Sequence, residues 1–468
     1  MQSLRPHLAA SGLVLASVLV ATGAALLLDR LGAVLPGSVA AALVVTGLFA
    51  RRAPEGLVTF AVFSLLADTV EHWLGLDFLL FDEITIALFL PIAVVCHGAP
   101  NGRLRIGLPE AALAVLAVAG ISSSLIGEVS PVTWLAGLAL LFKAIAMLYI
   151  VSWLRLTVDD AGRMGFTVIV IGLVIGALGF VEWLNPAAFQ TALGLPPYDQ
   201  ARGAVTVVRS IFLSPAQYGW MTAFTSLLLY AMFIAKRVWW ALPLAMGLNL
   251  GTVLSGRRTP LLGVLVAIAA GFARQFRAGG FAGSLVRTWV PLLSAVVLLG
   301  ALLLPILGSL YRYTISEYLP SPIAVAELFS DAPNADVVAD LHPRTALYFG
   351  SIAVARDRFP LGAGLGRYGS HLSRAEYSPV YAEYGLDRIY QLAPERPNAV
   401  TDTYWPMILG ETGVVGLGAA LAFFGSVVVS LWRGVSAATS ATARTVGLAV
   451  LMVFAEGFVR SLTASVYT

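Results

Sequence analysis

Charged residues are scarce in this sequence. Asp, Glu, Lys and Arg make up only 12% of its 468 residues, whereas hydrophobic residues make up 58%. A soluble globular domain carries about 25% charged residues, so half that share over such a length excludes a water-soluble fold. One hydrophobic anchor would not lower the average this far. The apolar residues must be spread over many spans, which indicates a polytopic membrane protein.

Cysteine and lysine are also rare. The single cysteine, Cys96, excludes an intrachain disulfide, a cysteine-ligated zinc site and an iron–sulfur cluster. Only two of the 29 basic residues are lysine, which fits either a GC-rich genome or a preference for fork-shaped phosphate binding by arginine. The net charge of +3 is weak evidence for a nucleic-acid partner, because most basic residues lie between apolar runs.

Apolar runs of about 15 to 25 residues recur along the chain, each close to the length that crosses a bilayer as a helix. The first is long enough to span, so we expect a membrane helix there rather than a cleavable signal. We therefore predict an all-α membrane protein of about 11–14 transmembrane helices. The runs are 8–28, 31–50, 57–70, 78–96, 108–126, 132–154, 165–183, 211–234, 238–254, 259–272, 288–309, 403–431 and 445–466.

The distribution of arginine predicts the orientation. With a cytoplasmic N-terminus, fourteen basic residues fall in inner loops, while the short outer loops before residue 255 hold only Arg30, Arg202 and Arg209. This orientation divides the chain into spans 1–309, a large extracytoplasmic loop 310–402 and C-terminal spans 403–468. The loop holds eight arginines and eleven acidic residues, a composition that predicts a folded cap.

Several arginines break this pattern by falling at the outer boundary. Arg257 and Arg258 begin one span, Arg209 lies at the edge of another, and Arg344 lies in the large loop. Each has an ordinary interpretation, because such side chains snorkel to headgroups or are solvated. Together they predict an anion site, since guanidinium groups bind diphosphate oxygens in pairs and a helix N-terminus adds positive potential.

Charges within the spans allow a different function. Glu456 and Arg460 are spaced to pair with each other along a helix. Lys143 and Glu182 lie inside apolar runs, where a charge needs a partner or a water-filled cavity. A proton-coupled transporter would use such groups, so transport stays open as an alternative.

Two motifs in the large loop suggest cofactors that we do not expect. Gly364, Gly366 and Gly369 spell GxGxxG, but no buried strand precedes them, so we interpret them as a glycine-dense turn. His342 and His371 have no third ligand at metal spacing. We predict neither a cofactor nor a metal site.

Three stretches, in order, resemble the O-antigen ligase and Wzy-type polysaccharide polymerase superfamily of bacterial membrane glycosyltransferases. Residues 255–262 (SGRRTPLL) resemble the family's serine–arginine span start, with Arg258 at the arginine position and Arg257 where serine is usual. Arg344 and residues 360–366 (PLGAGLG) resemble the arginine and turn of the family's large loop, and 402–416 (DTYWPMILGETGVVG) resembles the loop exit. Arg209 before a Ser-Pro pair is similar to another family arginine.

The resemblance implies a GT-C-like fold and a polymerase of lipid-linked oligosaccharide repeat units in the bacterial inner membrane. Its substrate would be an undecaprenyl-pyrophosphate-linked glycan, handled on the outer side, with a chain-length regulator as a further partner. The ligases carry histidine where this chain has Asp402 and asparagine where it has Thr403. Aspartate there is more similar to the polymerase branch, and ligase-type transfer to a different acceptor is the alternative.

The resemblance also implies roles for individual residues. An acceptor hydroxyl would attack the anomeric carbon with inversion, while Arg209, Arg257, Arg258 and Arg344 stabilise the departing pyrophosphate without a metal. Asp402 would act as general base or orient sugar hydroxyls, and its ordinary interpretation is an N-cap of the span that begins at Thr403. Glu411 is a weaker second candidate for the carboxylate role. The ordinary interpretation is packing for the loop tyrosines and an interfacial anchor for Tyr404. Weaker candidates for glycan contact are Tyr377, Tyr381, Tyr384, Tyr390, Tyr404 and Glu411.

Overall fold

The computed structural model describes residues 35–76, 78, 80–97, 107–154, 156–197, 201–202, 205–278 and 341–462. The predicted spans 8–28 and 288–309 lie outside these residues, as does the first third of the large loop. The described helices are α1 (Leu35–Arg51), α2 (Ala53–Leu74), α3 (Phe81–His97), α4 (Leu108–Ile126), α5 (Pro131–Trp153), α6 (Val158–Leu184), α7 (Pro186–Ala192), α8 (Pro215–Lys236), α9 (Ala241–Leu254), α10 (Arg258–Ala278), α11 (Pro343–Asp357), α12 (His371–Ala375), α13 (Val380–Glu383), α14 (Trp405–Ala437) and α15 (Ala441–Ser461).

Seven of these helices are long and apolar enough to cross a membrane: α2, α4, α5, α6, α8, α14 and α15. Shorter apolar helices lie at Gly37–Arg51, Ala241–Leu254 and Thr259–Gly271. In the described part of the chain, the extended structure is a two-residue ladder that pairs β1 (Ala201–Arg202) with β2 (Val205–Thr206). The prediction of an all-α, multi-pass membrane protein is thus confirmed, as expected where lipid offers no partner for backbone N–H and C=O groups.

Helix starts follow local sequence signals. Ser130 and Ser214 accept backbone N–H groups of the first turns of α5 and α8, and each is followed by proline at the first helical position. Thr157 and Asp160 form a reciprocal capping box at the start of α6. These short-range signals explain why α5 and α8 begin within a few residues of the predicted spans. Helix α6 begins at Val158, seven residues before the predicted start at 165.

Helix α8 is the centre of the bundle. In the apolar window of α8, 72% of the residues are buried, compared with 22–39% in the other six membrane-capable helices. It packs against α6, α9, α10 and α15. Gly172 and Gly179 of α6 contact Thr225 and Tyr218 of α8 so closely that a Cβ atom at either glycine would clash. The glycines therefore permit the close approach of α6 to α8.

Residues 341–402 are folded around a hydrophobic core of their own. Helices α11, α12 and α13, with a 3₁₀ turn at Leu386–Arg388, bury Leu347, Tyr368, Tyr381 and Leu386. The turn at 360–366 inserts against α14, where Ala363 N–H donates to the Gly410 carbonyl at 2.7 Å. The backbone of α14 is broken beside it at Gly413, whose φ of 68° favours glycine. This insertion fixes the folded segment to the membrane helices.

Candidate functional site

Arg344 and Asp402, which the sequence analysis selected separately, form an ion pair. The Arg344 guanidinium donates from Nε at 3.2 Å and from Nη2 at 2.9 Å to Asp402 Oδ2. The two side chains are 22% and 38% exposed, so the pair is open to solvent or ligand. Arg344 lies in the first turn of α11, where His342 Nδ1 accepts its backbone N–H. The structure thus brings together two residues 58 positions apart.

Asp402 does not cap the following helix. Helix α14 begins at Trp405, and its N-cap residue is Tyr404, without a side-chain capping bond. The capping interpretation of Asp402 is therefore not supported, and the span starts two residues later than Thr403. Thr403 and Tyr404 are buried, which anchors the chain on the helix side of Asp402. The carboxylate is consequently held against Arg344 by its surroundings.

The C-terminal end of α15 joins the elements around this pair. The Tyr348 hydroxyl, one turn after Arg344, donates to the Leu462 carbonyl at 2.7 Å. Trp405 Nε1 donates to Ser461 Oγ at 2.8 Å. Burial raises the pKa of Tyr348 to about 12, with the Arg344 charge acting in the opposite direction. Tyr348 is therefore a neutral donor at neutral pH, and α11, α14 and α15 meet at one end of the bundle.

Arg460 lies at the same end of the bundle. Its guanidinium carbon is 4.8 Å from the ring centroid of Trp220 in α8, and its Nε is 3.8 Å from Glu456 Oε1. The predicted pairing of Glu456 with Arg460 is thus observed, as a long contact. From the sequence, Arg460 was interpreted as a partner of Glu456 and as one of the charges that a transporter could use. Its contact with Trp220 was not foreseen, because Trp220 is 240 positions away.

Arg257 lies near the start of α8. It follows Gly256, which has a φ of 64°, and its backbone N–H donates to Ser255 Oγ at 3.3 Å. A Cβ atom built on Gly219 would lie 3.8 Å from Arg257 Cβ, so Arg257 packs next to the start of α8. Arg258 begins α10, and its side chain lies outside the described part of the structure. We call Arg257, Arg344, Arg460 and Asp402 the basic end.

Arg209 has a different setting. Its backbone N–H and that of Ser210 donate to Glu182 Oε2 at 2.9 and 2.6 Å, and its Nη2 donates to the Pro196 carbonyl. Val208 N–H donates to the Leu254 carbonyl, so this segment runs beside the one that carries Arg257. The Arg209 side chain is nevertheless buried. Its contacts make it a structural tie between loop and helix, and its predicted role in binding pyrophosphate stays a prediction.

The glycine-rich turn surrounds an internal carboxyl group. Glu411 Oε1 accepts the Tyr368 N–H at 3.2 Å, and the Glu411 side chain lies close to the backbone of Gly366 and Arg367 and to Ser370. Gly364, Gly366 and Gly369 all have positive φ, which directs successive N–H groups inward. Glu411 is buried, so its predicted contact with glycan is not supported. It instead holds the turn against α14.

The loop tyrosines are packing residues for the most part. Tyr381 and Tyr404 are fully buried, so the structure does not support stacking of either ring on a sugar. The Tyr377 hydroxyl donates to the Leu392 carbonyl at 2.7 Å, and burial raises the pKa of Tyr377 to about 12. Tyr390 is 59% exposed beside Arg396, which leaves its ring accessible. Burial was not readable from the sequence, because the loop core lacks helical or strand periodicity.

A second charged cluster joins α5 to the start of α3. Lys143 Nζ in α5 is 3.0 Å from Asp82 Oδ2 and 2.9 Å from Glu83 Oε1, both at the start of α3. A neighbouring cleft of about 340 Å³ is lined by Asp68 and Glu71 of α2 and by Asp82, with Ser64, Ala67, Phe78 and Phe81. We call Asp68, Glu71, Asp82, Glu83 and Lys143 the acidic cleft. The sequence analysis noted Lys143 and missed the carboxylates.

No protein-family model matches the chain, and no curated protein matches it either. The chemistry of the site therefore rests on its own residues. Three guanidinium groups and one half-exposed carboxylate at the basic end can bind a polyvalent anion and accept or orient a hydroxyl.

Proposed function

We propose that the protein is a membrane glycosyltransferase that polymerises lipid-linked oligosaccharide repeat units. The donor would be a glycan linked through pyrophosphate to undecaprenol, and the acceptor a sugar hydroxyl of another lipid-linked glycan. Under this proposal, and in keeping with the arginine distribution, the basic end faces the extracytoplasmic side of the inner membrane. The GT-C-like assignment and the polymerase branch of the O-antigen ligase and Wzy-type superfamily belong to this proposal.

The observation that carries the proposal is the Arg344–Asp402 ion pair at the basic end. Transfer from a lipid diphosphate requires positive charge where the leaving group departs and a polar group near the attacking hydroxyl. Arg344 supplies the positive charge and Asp402 supplies the polar group, and the two side chains are 2.9 Å apart. Their placement on a folded loop at a helix end, beside Arg257 and Arg460, suits a substrate with an apolar tail and a polar head.

The reaction transfers the glycan, with one bond formed and one bond broken at its anomeric carbon. The acceptor hydroxyl oxygen forms a bond to the anomeric carbon as the bond from that carbon to the phosphate oxygen breaks, with inversion. The hydroxyl proton passes to Asp402 or, if Asp402 only orients the sugar, to water. The diphosphate leaves on undecaprenol, and Arg344 and its neighbours stabilise its growing charge. Because arginine supplies that charge, the proposal expects the reaction to proceed without a divalent cation.

Reconstitution of the purified chain in lipid with a defined undecaprenyl-pyrophosphate oligosaccharide tests this proposal. We expect a ladder of repeat-unit multiples on gels and in mass spectra, with and without EDTA. Transfer of a single glycan to a different acceptor, without a ladder, would replace the polymerase with a ligase. An authentic substrate that yields neither product would contradict glycosyl transfer.

The acidic cleft favours transport of a lipid-linked sugar or a small solute as a second candidate function. Lys143 with Asp82 and Glu83 lies within membrane-associated helices, where charged clusters mark ion and substrate pathways. In the same vesicles, this candidate predicts movement of the lipid-linked sugar across the bilayer without polymer formation. Such movement, lost in Lys143→Met, would favour transport over transfer.

A further inference from the structure

We infer that Arg460 and Trp220 form part of the diphosphate-binding surface, in which the guanidinium stacked on the indole binds a phosphate of the lipid donor. The inference rests on the proposed function and extends it, because the sequence indicated for Arg460 only the pairing with Glu456 and, as an alternative, a role in transport. It names one further residue that contacts the substrate, and one that holds this residue in place.

The first support is the way in which the Arg460 side chain is held. Trp220 lies 4.8 Å below the guanidinium, and Glu456, one helical turn earlier, approaches Nε at 3.8 Å. Stacking on an aromatic face leaves the in-plane N–H donors of arginine directed sideways, where a planar guanidinium binds phosphate oxygens two at a time. Since the Arg460 side chain is 18% exposed, this orientation is fixed without burying the group completely.

The second support is the connection of Arg460 to the Arg344–Asp402 pair. Ser461 and Leu462, the next two residues, accept hydrogen bonds from Trp405 and Tyr348. Tyr348 is one turn from Arg344 on α11, and Trp405 is three residues from Asp402. The last turn of α15 is therefore fixed directly to both elements that carry the pair. Arg460 cannot shift far without moving the hydrogen bonds that flank it.

The third support is the balance of charge. Glu456 is buried and lies against Gly263 of α10, close enough that a Cβ atom there would clash. Arg257, in the turn that precedes α10, packs beside Gly219 at the start of α8, the helix that also carries Trp220. The surface at the first two turns of α8 thus has two arginines beside it. A diphosphate, which carries two or three negative charges, matches such a surface better than a monophosphate does.

Equilibrium binding to the full chain in nanodiscs tests this inference, with farnesyl diphosphate and farnesyl monophosphate as probes and calorimetry as the readout. We expect Arg460→Gln to weaken diphosphate binding about tenfold and monophosphate binding about twofold, since a charge-assisted phosphate contact is lost. Arg460→Lys keeps the charge but not the planar fork, so we expect about a threefold loss. Arg444→Gln, at the opposite end of the same helix, is the matched control and should bind as the wild type does.

The outcomes separate this inference from the proposed function. If Arg460→Gln binds farnesyl diphosphate like Arg444→Gln while Arg344→Gln binds it more weakly, the inference is wrong and the proposed donor site survives. If the wild type does not bind farnesyl diphosphate, both are wrong. Should Arg460→Gln fail to fold, Arg460→Lys decides the question alone, because unchanged diphosphate binding in that variant overturns the inference.

Discussion

The basic end and the acidic cleft are two charged regions of opposite character in one bundle. The basic end sets Arg257, Arg344 and Arg460 against Asp402, and it lies where helices begin or end beside the folded loop. The acidic cleft sets Lys143 against four carboxylates along α2 and α3. An excess of guanidinium suits a phosphate-bearing substrate, whereas an excess of carboxylate does not.

This difference separates the two candidate functions. Glycosyl transfer from a lipid diphosphate would depend on the basic end, and the acidic cleft would only stabilise the fold. Transport coupled to a cation or proton would depend on the acidic cleft and be indifferent to Arg344. Substitutions in each region, measured in the same reconstituted membranes, therefore discriminate between them.

The largest expected effect comes from Arg344→Ala. Removing one preorganised charged donor from a site of growing negative charge lowers the rate about 100- to 1,000-fold. We therefore expect the rate of polymer formation to decrease by this factor. The matched control is Arg358→Ala, which breaks another arginine–carboxylate pair of the same folded segment, with Glu383. Ladder formation at the wild-type rate in Arg344→Ala would remove this arginine from the mechanism.

Asp402→Asn is expected to reduce the rate of transfer by about 100-fold while farnesyl diphosphate binding persists, because the group acts on the acceptor. Initial rates across a pH series, with donor saturating, provide the measurement. A near-normal rate at every pH would show that Asp402 is not the base, and a purely structural role would be exposed by a parallel loss of donor binding.

Tyr368→Phe should have a smaller effect, of about three- to tenfold on kcat. Tyr368 donates its N–H to Glu411 and its hydroxyl to the Leu347 carbonyl at 2.7 Å, so it connects α14 with the turn of α11 that follows Arg344. Losing the hydroxyl lets these helices move relative to each other, and small displacements are costly in catalysis. Tyr377→Phe, which loses an equivalent bond to Leu392, matches it in stability cost and should retain kcat.

Lys143→Met should have the smallest effect on transfer. It leaves Asp82 and Glu83 without their shared cation, so we expect a loss of about 2 kcal/mol in stability, less than for a fully buried pair because these side chains are 17–34% exposed. Polymerisation per folded molecule should stay unchanged. A lower thermal unfolding midpoint with an unchanged rate of polymer formation would support a structural role for the acidic cleft. Loss of polymer formation in well-folded protein would contradict that role.

The fold could be predicted from the sequence to the extent that it follows from length and hydrophobicity. Most described helices begin and end within about five residues of the predicted spans, and the prediction 108–126 coincides with α4. Helix α6, however, begins seven residues before the predicted span 165–183, and α10 and α14 end six residues after theirs. Apolar runs and proline-marked helix starts are local signals, so no tertiary information is needed to find them. The burial of α8 at the centre of the bundle could not be predicted from hydropathy, because its mean hydropathy lies within the range of the other membrane-capable helices.

The candidate site was only partly predictable. Arg344 and Asp402 were found individually from position and resemblance, but their contact depends on how the loop folds. Glu411 and Tyr381 were taken for glycan ligands, although both are buried, because a polar or aromatic side chain in a loop has the same sequence signature inside and outside a core. Arg460 was missed for a related reason, since its neighbour Trp220 is on a distant helix.

Photo-crosslinking of the donor tests the account most directly. The probe is a lipid diphosphate with a photoreactive group adjacent to the diphosphate, bound to the full chain in nanodiscs and mapped by peptide mass spectrometry. The account predicts labels in peptides that contain Arg344, Asp402 or Arg460, competed by farnesyl diphosphate. Labels confined to residues 64–83 of the acidic cleft would contradict it.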